Sequence, residues 1–155
     1  MQTVDYMART RDFYAAQGYE RPYVWAHNDS APFAELSKPL SECTLALVTT
    51  AALYDRKPLE PRHVDSAGAH PGPERLYAND LAWAKESTHM NDPGSYLPLA
   101  VLHRLQEEGR IGRIAERLHC VPTEYSQRNT TEKDAPDVLN RLREDGADIA
   151  LLVPL

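Results

Sequence analysis

The sequence predicts one α/β domain: a three-layer, open, mostly parallel sheet flanked by helices, with an N-terminal helix and an extended proline/aromatic arm. Three observations predict it. CTLALVTTAAL, residues 43–53, is a short apolar run rich in β-branched residues and bounded by polar turns, the pattern of a strand buried on both faces. TTEKDAPDVLNRLREDG, residues 130–146, sets Ala135, Val138, Leu139 and Leu142 on one helical stripe. ADIALLVPL, residues 147–155, then reads as a second buried strand, so helix and strand alternate as they do in layered α/β folds.

Each element has its own signal. Residues 3–17 form a helix with Val4, Met7, Ala8 and Tyr14 roughly on one face and Gly18 as the stop. The following RPYVWAHNDSAPFAELSKPLSE is broken by Pro22, Pro32 and Pro39, and reads as an extended arm anchored by burial of Tyr23, Trp25 and Phe33. YLPLAVLHRLQEEG is a helix with Leu99, Leu102 and Leu105 on one face, Pro98 in the first turn and Gly109 closing it. IGRIAERLHCVPTEY is ambiguous by period, with a strand near 114–120. Thr130 or Thr131 caps the last helix and Gly146 ends it. The chain is thus a single domain over 1–155, with helix and arm in 1–40 and the core in 41–155.

Composition narrows the function classes. The 155 residues suit one core, and 42% are hydrophobic. Seventeen basic residues against 23 acidic give a formal charge of −6, which argues against a nucleic-acid footprint and favours a small-molecule or protein partner. The start MQTVDYMARTRDF lacks a signal-peptide run, and no 18 consecutive apolar residues suggest a membrane span. Two separated cysteines, Cys43 and Cys120, make no disulfide framework and point to a cytoplasmic, reducing compartment. Homo-oligomerisation is left open.

Chemistry concentrates in RHVDSAGAHPGPERLYANDLAWAKESTHMND, residues 62–92, which holds His63, His70 and His89 among Asp65, Glu74, Asp80 and Asp92. No amphipathic repeat accounts for that density, so the segment reads as substrate-facing. His63, Asp65 and His70 form an H-x-D-x4-H set that could line a polar substrate rim. With His89 as a third nitrogen it could instead bind a divalent metal, although the spacing fits no named zinc motif. Asp80 can contact a cationic amine or cap a turn. Thr49 and Thr50 end the first strand, where ligands sit in open α/β sheets, and can offer hydroxyls and N–H groups to a carboxylate. Cys43 and Cys120 read as buried hydrophobes, and Trp83 as core.

KPLSECTLALVTTAAL, the His/Asp segment, THMNDPGSYLPLAVLHRLQEEGRIG and LREDGADIALLVPL occur in an order and spacing that resembles the selenoprotein B family of glycine, sarcosine, betaine and D-proline reductases. The chain is most similar to the short, stand-alone bacterial members, over roughly residues 20–155. The resemblance implies a thiol- or selenol-dependent reductive cleavage: the nucleophile attacks the α-carbon of a small activated amine and expels the amino group. It implies a dithiol or thioredoxin-like reductant. It also gives His89 and Asp92, just before the Pro-Leu of the middle helix, the catalytic roles of proton donor and orienting or ammonium-binding carboxylate. The plain alternative is a pair that caps a helix.

The family's cysteine or selenocysteine follows the last strand, so the resemblance expects it directly after Leu155. It would lie in a longer chain or behind a selenocysteine codon read as a stop, or be missing from this member. The leading expectation is therefore a reductase or reductase component acting on a small amine or amino-acid-like substrate. The alternatives are a metal-dependent hydrolase or lyase using His63, Asp65, His70 and His89, and a catalytically silent binding subunit.

Overall fold

The computed structural model describes residues 5–22, 24–55, 61–79 and 86–155. Val4, Tyr23, Asp80 and Trp83, each given a role above, lie outside the described residues. The chain divides into two compact units, Met1–Phe33 and Ala34–Leu155.

In the first unit α1 spans Tyr6–Ala16, and the Asp5 carboxylate caps it by accepting the Ala8 N–H at 3.1 Å. The helix ends before Gly18, as expected, but none of its described residues is buried. The stretch after it holds no helix or strand among the described residues. Trp25 is half-buried, with the Arg11 guanidinium 5.3 Å from its ring centre. Phe33 corrects the anchoring expectation: it is 93% exposed and cannot hold the arm by burial.

The second unit carries the sheet. Its strands are β1 (Thr44–Thr49), β2 (Asp65–Gly68), β3 (Arg113–Ile114), β4 (Arg117–Cys120) and β5 (Ile149–Val153). The sheet is open, mixed and mostly parallel. β1 pairs in parallel with β5 on one side and with β3 and then β4 on the other; β2 is antiparallel outside β4. β1 is buried at all six positions, as an apolar run with no polar alternation requires. The segment left ambiguous by period resolves into β3 and β4. The Ala115 N–H still donates to the Leu45 carbonyl at 2.8 Å, so the ladder with β1 continues across the break.

Helix α2 (Leu99–Glu107) buries Leu99 and Leu102 in the core with Leu45, Leu47, Leu76 and Tyr96. The final helix starts earlier than expected. Ser126, not Thr130 or Thr131, caps it, with its Oγ accepting the Asn129 N–H at 3.2 Å. Both threonine hydroxyls instead donate back to the Ser126 and Gln127 carbonyls, as hydroxyls inside a helix do. The helix runs as α3 (Gln127–Asn129), a π turn (Thr130–Asp134) and α4 (Ala135–Glu144). Gly109 and Gly146 follow α2 and α4 at φ +68° and +65°, the left-handed conformation that ends helices cheaply only with glycine.

Two burial expectations are corrected. The α4 stripe is not sealed against the sheet: no α4 residue is buried, Ala135 is exposed and Leu139 is 45% exposed. Nor is β5 a buried strand. It lies at the sheet edge with alternating exposure, and Leu152 is 66% exposed. The cause is shared, because an apolar groove of about 570 Å³ stays open between the two elements, lined by Val48, Val138, Leu142, Ala150 and Leu152 among others. Among the described residues no helix is long and apolar enough to cross a membrane.

Gly112 enters β3 against the turn before β1. A Cβ there would stand 2.6 Å from the Cys43 carbonyl oxygen and 2.7 Å from the Glu42 carbonyl carbon, both backbone atoms. Gly112→Ala is therefore expected to destabilise the fold by about 2 kcal/mol or more, read as a lower urea midpoint with the slope unchanged.

Candidate functional site

Because β1, β4 and β5 run in parallel, their carboxyl ends at Thr49, Cys120 and Val153 share one edge of the sheet. β2 runs the other way, and its first residue, Asp65, sits opposite Cys120. The loop Arg62–Val64 is thereby brought to the same edge, next to the segment that leads from β4 into α3.

A polar pocket of about 350 Å³ opens there. Arg62, His63 and Val64 line one side; Glu124, Asn129 and three residues around the π turn, Lys133, Asp134 and Asp137, line the rest. Arg62 holds the walls together. Its Nη1 donates to Asp134 Oδ1 at 2.6 Å and its Nε donates to the Pro122 carbonyl. Glu124 accepts from the Ser126 N–H at 2.8 Å and from Asn129 Nδ2 at 3.0 Å, and these bonds, the backbone one first, hold its carboxyl below the usual range. Asp134 is 7% exposed, and its second oxygen, Oδ2, is buried without a hydrogen-bond partner among the described residues.

His63 and Asp65 meet as an imidazole–carboxylate pair, with His63 Nε2 3.0 Å from Asp65 Oδ1. His63 Nδ1 lies 3.1 Å from the Pro61 carbonyl. Both partners are acceptors, so a neutral ring donates to one of them and only a protonated ring makes the contact with Asp65 an ion pair. Thr49 and Thr50 stand at the same edge and line the apolar groove, which Asp134 also borders. Their polar groups are partly engaged. Thr49 Oγ1 accepts the Ala51 N–H at 3.3 Å, Thr50 Oγ1 accepts the Leu155 N–H at 2.7 Å, and the Thr50 N–H donates to the Val153 carbonyl at 3.3 Å.

The rest of the His-rich segment goes elsewhere. β2 takes its middle, and the exposed His70 packs its ring 4.8 Å from that of His103. His89 and Asp92 are both exposed in the loop before a 3₁₀ turn (Pro93–Ser95). The His89 ring accepts the Asn91 N–H at 3.3 Å, and no hydrogen bond or ion pair joins His89 to Asp92. The metal reading is corrected: among the described residues no three His, Cys, Asp or Glu side chains gather to hold an ion, since β2, which begins at Asp65, carries the chain from His63 away to His70. Cys120 is fully buried, and burial, then the nearby Asp65 charge, push its thiol up to about 12, so it is no nucleophile at neutral pH.

Sequence reasoning missed Arg62, Glu124, Lys133, Asp134 and Asp137. One signal could have found the last three. Pro136 sits inside the helical pattern with no N–H to give to the carbonyl one turn back, and such positions break the ladder beside functional residues.

Also unanticipated is a buried relay behind the pocket. Ser66 Oγ lies 2.9 Å from His119 Nδ1, and His119 Nε2 lies 2.9 Å from Asp145 Oδ2. Arg141 Nη1 donates to Ser66 Oγ at 2.9 Å, and Arg117 Nε donates to Asp145 Oδ1 at 2.7 Å. The order resembles a nucleophile–base–acid chain, but His119 is fully buried and Ser66 already accepts from Arg141. Its effect is to tie β2, β4 and the end of α4 together.

No protein-family model, curated protein or solved structure matches the chain.

Burial lowers the His119 pKa below its ordinary 6.5, outweighing the opposing pull of Asp145. The unfolded chain therefore takes up a proton near pH 6.5 that the folded chain refuses. The stability His119 contributes is complete above that pH and lost as the pH falls through the lower folded value. His119→Ala is expected to cost about 3 kcal/mol at pH 7.5 and less at pH 5.5, measured by urea denaturation of both proteins at the two pH values.

Proposed function

We propose that this protein is a thiol- or selenol-dependent reductase, or a component of one, that binds a small amine or amino-acid-like substrate at the carboxyl edge of a three-layer α/β scaffold in the cytoplasm. One observation carries the reading. The Thr49–Thr50 turn, the His63–Asp65 pair and the π-turn carboxylate Asp134 all stand at the edge where β5 ends, with the Leu155 N–H held on Thr50 Oγ1.

In this reading a thiolate or selenolate presented beside Leu155 attacks the substrate's α-carbon. An S–C or Se–C bond forms as the C–N bond breaks, and the departing amine takes a proton from an imidazole. A dithiol, small or thioredoxin-like, then supplies two electrons and releases the carbon skeleton as it becomes a disulfide. His63 suits the proton-donor role because its ring is exposed to the pocket and its two nitrogens lie beside the Asp65 carboxylate and the Pro61 carbonyl, which fix its orientation. His89 and Asp92, which the family resemblance favours for that role, are the second choice, since nothing joins them to each other or to the pocket. The nucleophile has to be other than Cys43 or Cys120, both buried. That burial also favours the second reading, a binding subunit whose chemistry is done by a partner.

The test is amine or ammonia release from a panel of small amino acids and N-methyl amino acids in the presence of dithiothreitol. It compares the chain as it stands with a version carrying one cysteine after Leu155. Release that requires the added thiol and falls about 100-fold in His63→Gln is the expected result. Substrate binding without release from either protein would leave the binding-subunit reading in its place.

A further inference from the structure

We infer that the protein pairs with a second copy of itself through the outer edge of β5, antiparallel and about a two-fold axis at Leu151, so that two sheets join into one. This goes beyond the proposed reduction and does not rest on it.

The strand has one free edge and nothing that guards it. Among the described residues β5 pairs with β1 alone. Ile149–Val153 carries no charge and no proline, the residues that ordinarily keep an edge strand from pairing. Backbone groups alternate in direction along a strand, and the Val153 carbonyl accepts the Thr50 N–H. Ile149, Leu151 and Val153 therefore turn their backbone groups toward β1, whereas Ala150 and Leu152 turn theirs outward. Two copies set antiparallel, with Leu151 facing Leu151, bring Ala150 opposite Leu152 on both sides of the axis. Each such pair exchanges both of its N–H···O bonds. The smallest side chain of the strand then stands beside an exposed leucine.

Charge and apolar surface select the same partner. A two-fold axis normal to the sheet also sets the two α4 helices antiparallel. Glu132 in the π turn and Arg143 in the last turn of α4 are exposed at opposite ends of this helix, with the exposed Leu139 between them. The ion pairs of α4 use Asp137, Arg141 and Glu144, and leave these two over. The reversal carries Glu132 of each copy toward Arg143 of the other. Strand spacing places the two β1 strands about 14 Å apart, so the two grooves between α4 and β5 open into one trough. Leu139 and Leu152 of both copies fill it, and apolar surface that one copy leaves wet is covered by the other. A foreign strand could use the same edge, but the match of Glu132 to Arg143 is specific to a copy of this chain.

The experiment is sedimentation velocity of the full chain from about 1 to 200 μM, with amide hydrogen exchange at the highest concentration. The mass is expected to rise from 17.5 kDa toward twice that value, and the Ala150 and Leu152 amides to become protected as the dimer forms. Leu152→Lys, at an exposed position, should leave a monomer with the wild-type circular dichroism. Glu132→Lys and Arg143→Glu should each weaken the dimer about ten-fold, and the double variant Glu132→Lys/Arg143→Glu should regain most of that loss. A monomer at every concentration would overturn the inference and leave the groove to another protein. A dimer that ignores Leu152→Lys, or one that the double charge reversal does not rescue, would overturn it as well. If Leu152→Lys does not fold, Leu139→Lys on α4 takes its place.

Discussion

The constraint on which the rest of the second unit depends is the burial of β1 on both faces and along both edges. Six consecutive residues with no exposed side chain leave no water for the strand's backbone, so its N–H and C=O groups need partners on either side. β5 meets one side, and β3 with β4 the other, all in parallel. Asp148 fixes the starting end: its carboxylate accepts the Thr44 N–H at 2.7 Å and pairs with Lys38 at 2.8 Å, and its own N–H donates to the Thr44 carbonyl at 2.9 Å. Once the starting ends are pinned, the finishing ends converge, and the segments leaving them meet at one edge.

That edge has two characters. The groove between α4 and β5 is apolar, whereas the pocket beside it is built from charged and amide side chains, and Asp134 borders both. A π turn suits such a place because it widens the helix by one residue and alters which side chains face inward. The Arg62–Asp134 contact then spans elements 72 residues apart, with both partners largely shielded, so losing either partner would strand a shielded charge, which an exposed pair on the surface would not do. It fixes the loop carrying His63 relative to the helix carrying Asp134.

Much of the scaffold was legible because it follows from periodicity and from single residues with one strong preference. β1, α2 and the helix stops at Gly109 and Gly146 were anticipated in type and close in position. The expectation for β5 was right as a strand and wrong as to burial, since an apolar run does not say whether a helix closes over it. The His-rich segment was treated as one surface, but an antiparallel strand runs through its middle and parts His63 from His70. His119 drew no attention in a strand pattern, yet it is the most deeply buried imidazole described, because Ser66 and Asp145 arrive from segments 53 and 26 residues away.

The sequence by itself determined the buried central strand, the middle and last helices, the acidic net balance, and His63 and Asp65 as polar groups two residues apart. These depend on local spacing and composition, which a linear chain displays directly. Only the tertiary structure decided that His63 and Asp65 meet beside Asp134, that His89 and Asp92 do not pair, and that one carboxylate oxygen is left buried without a donor. Each of those turns on which distant segments the sheet register brings together, and hydrogen-bond satisfaction in a shielded site is a property of the assembled neighbours rather than of any residue's own kind.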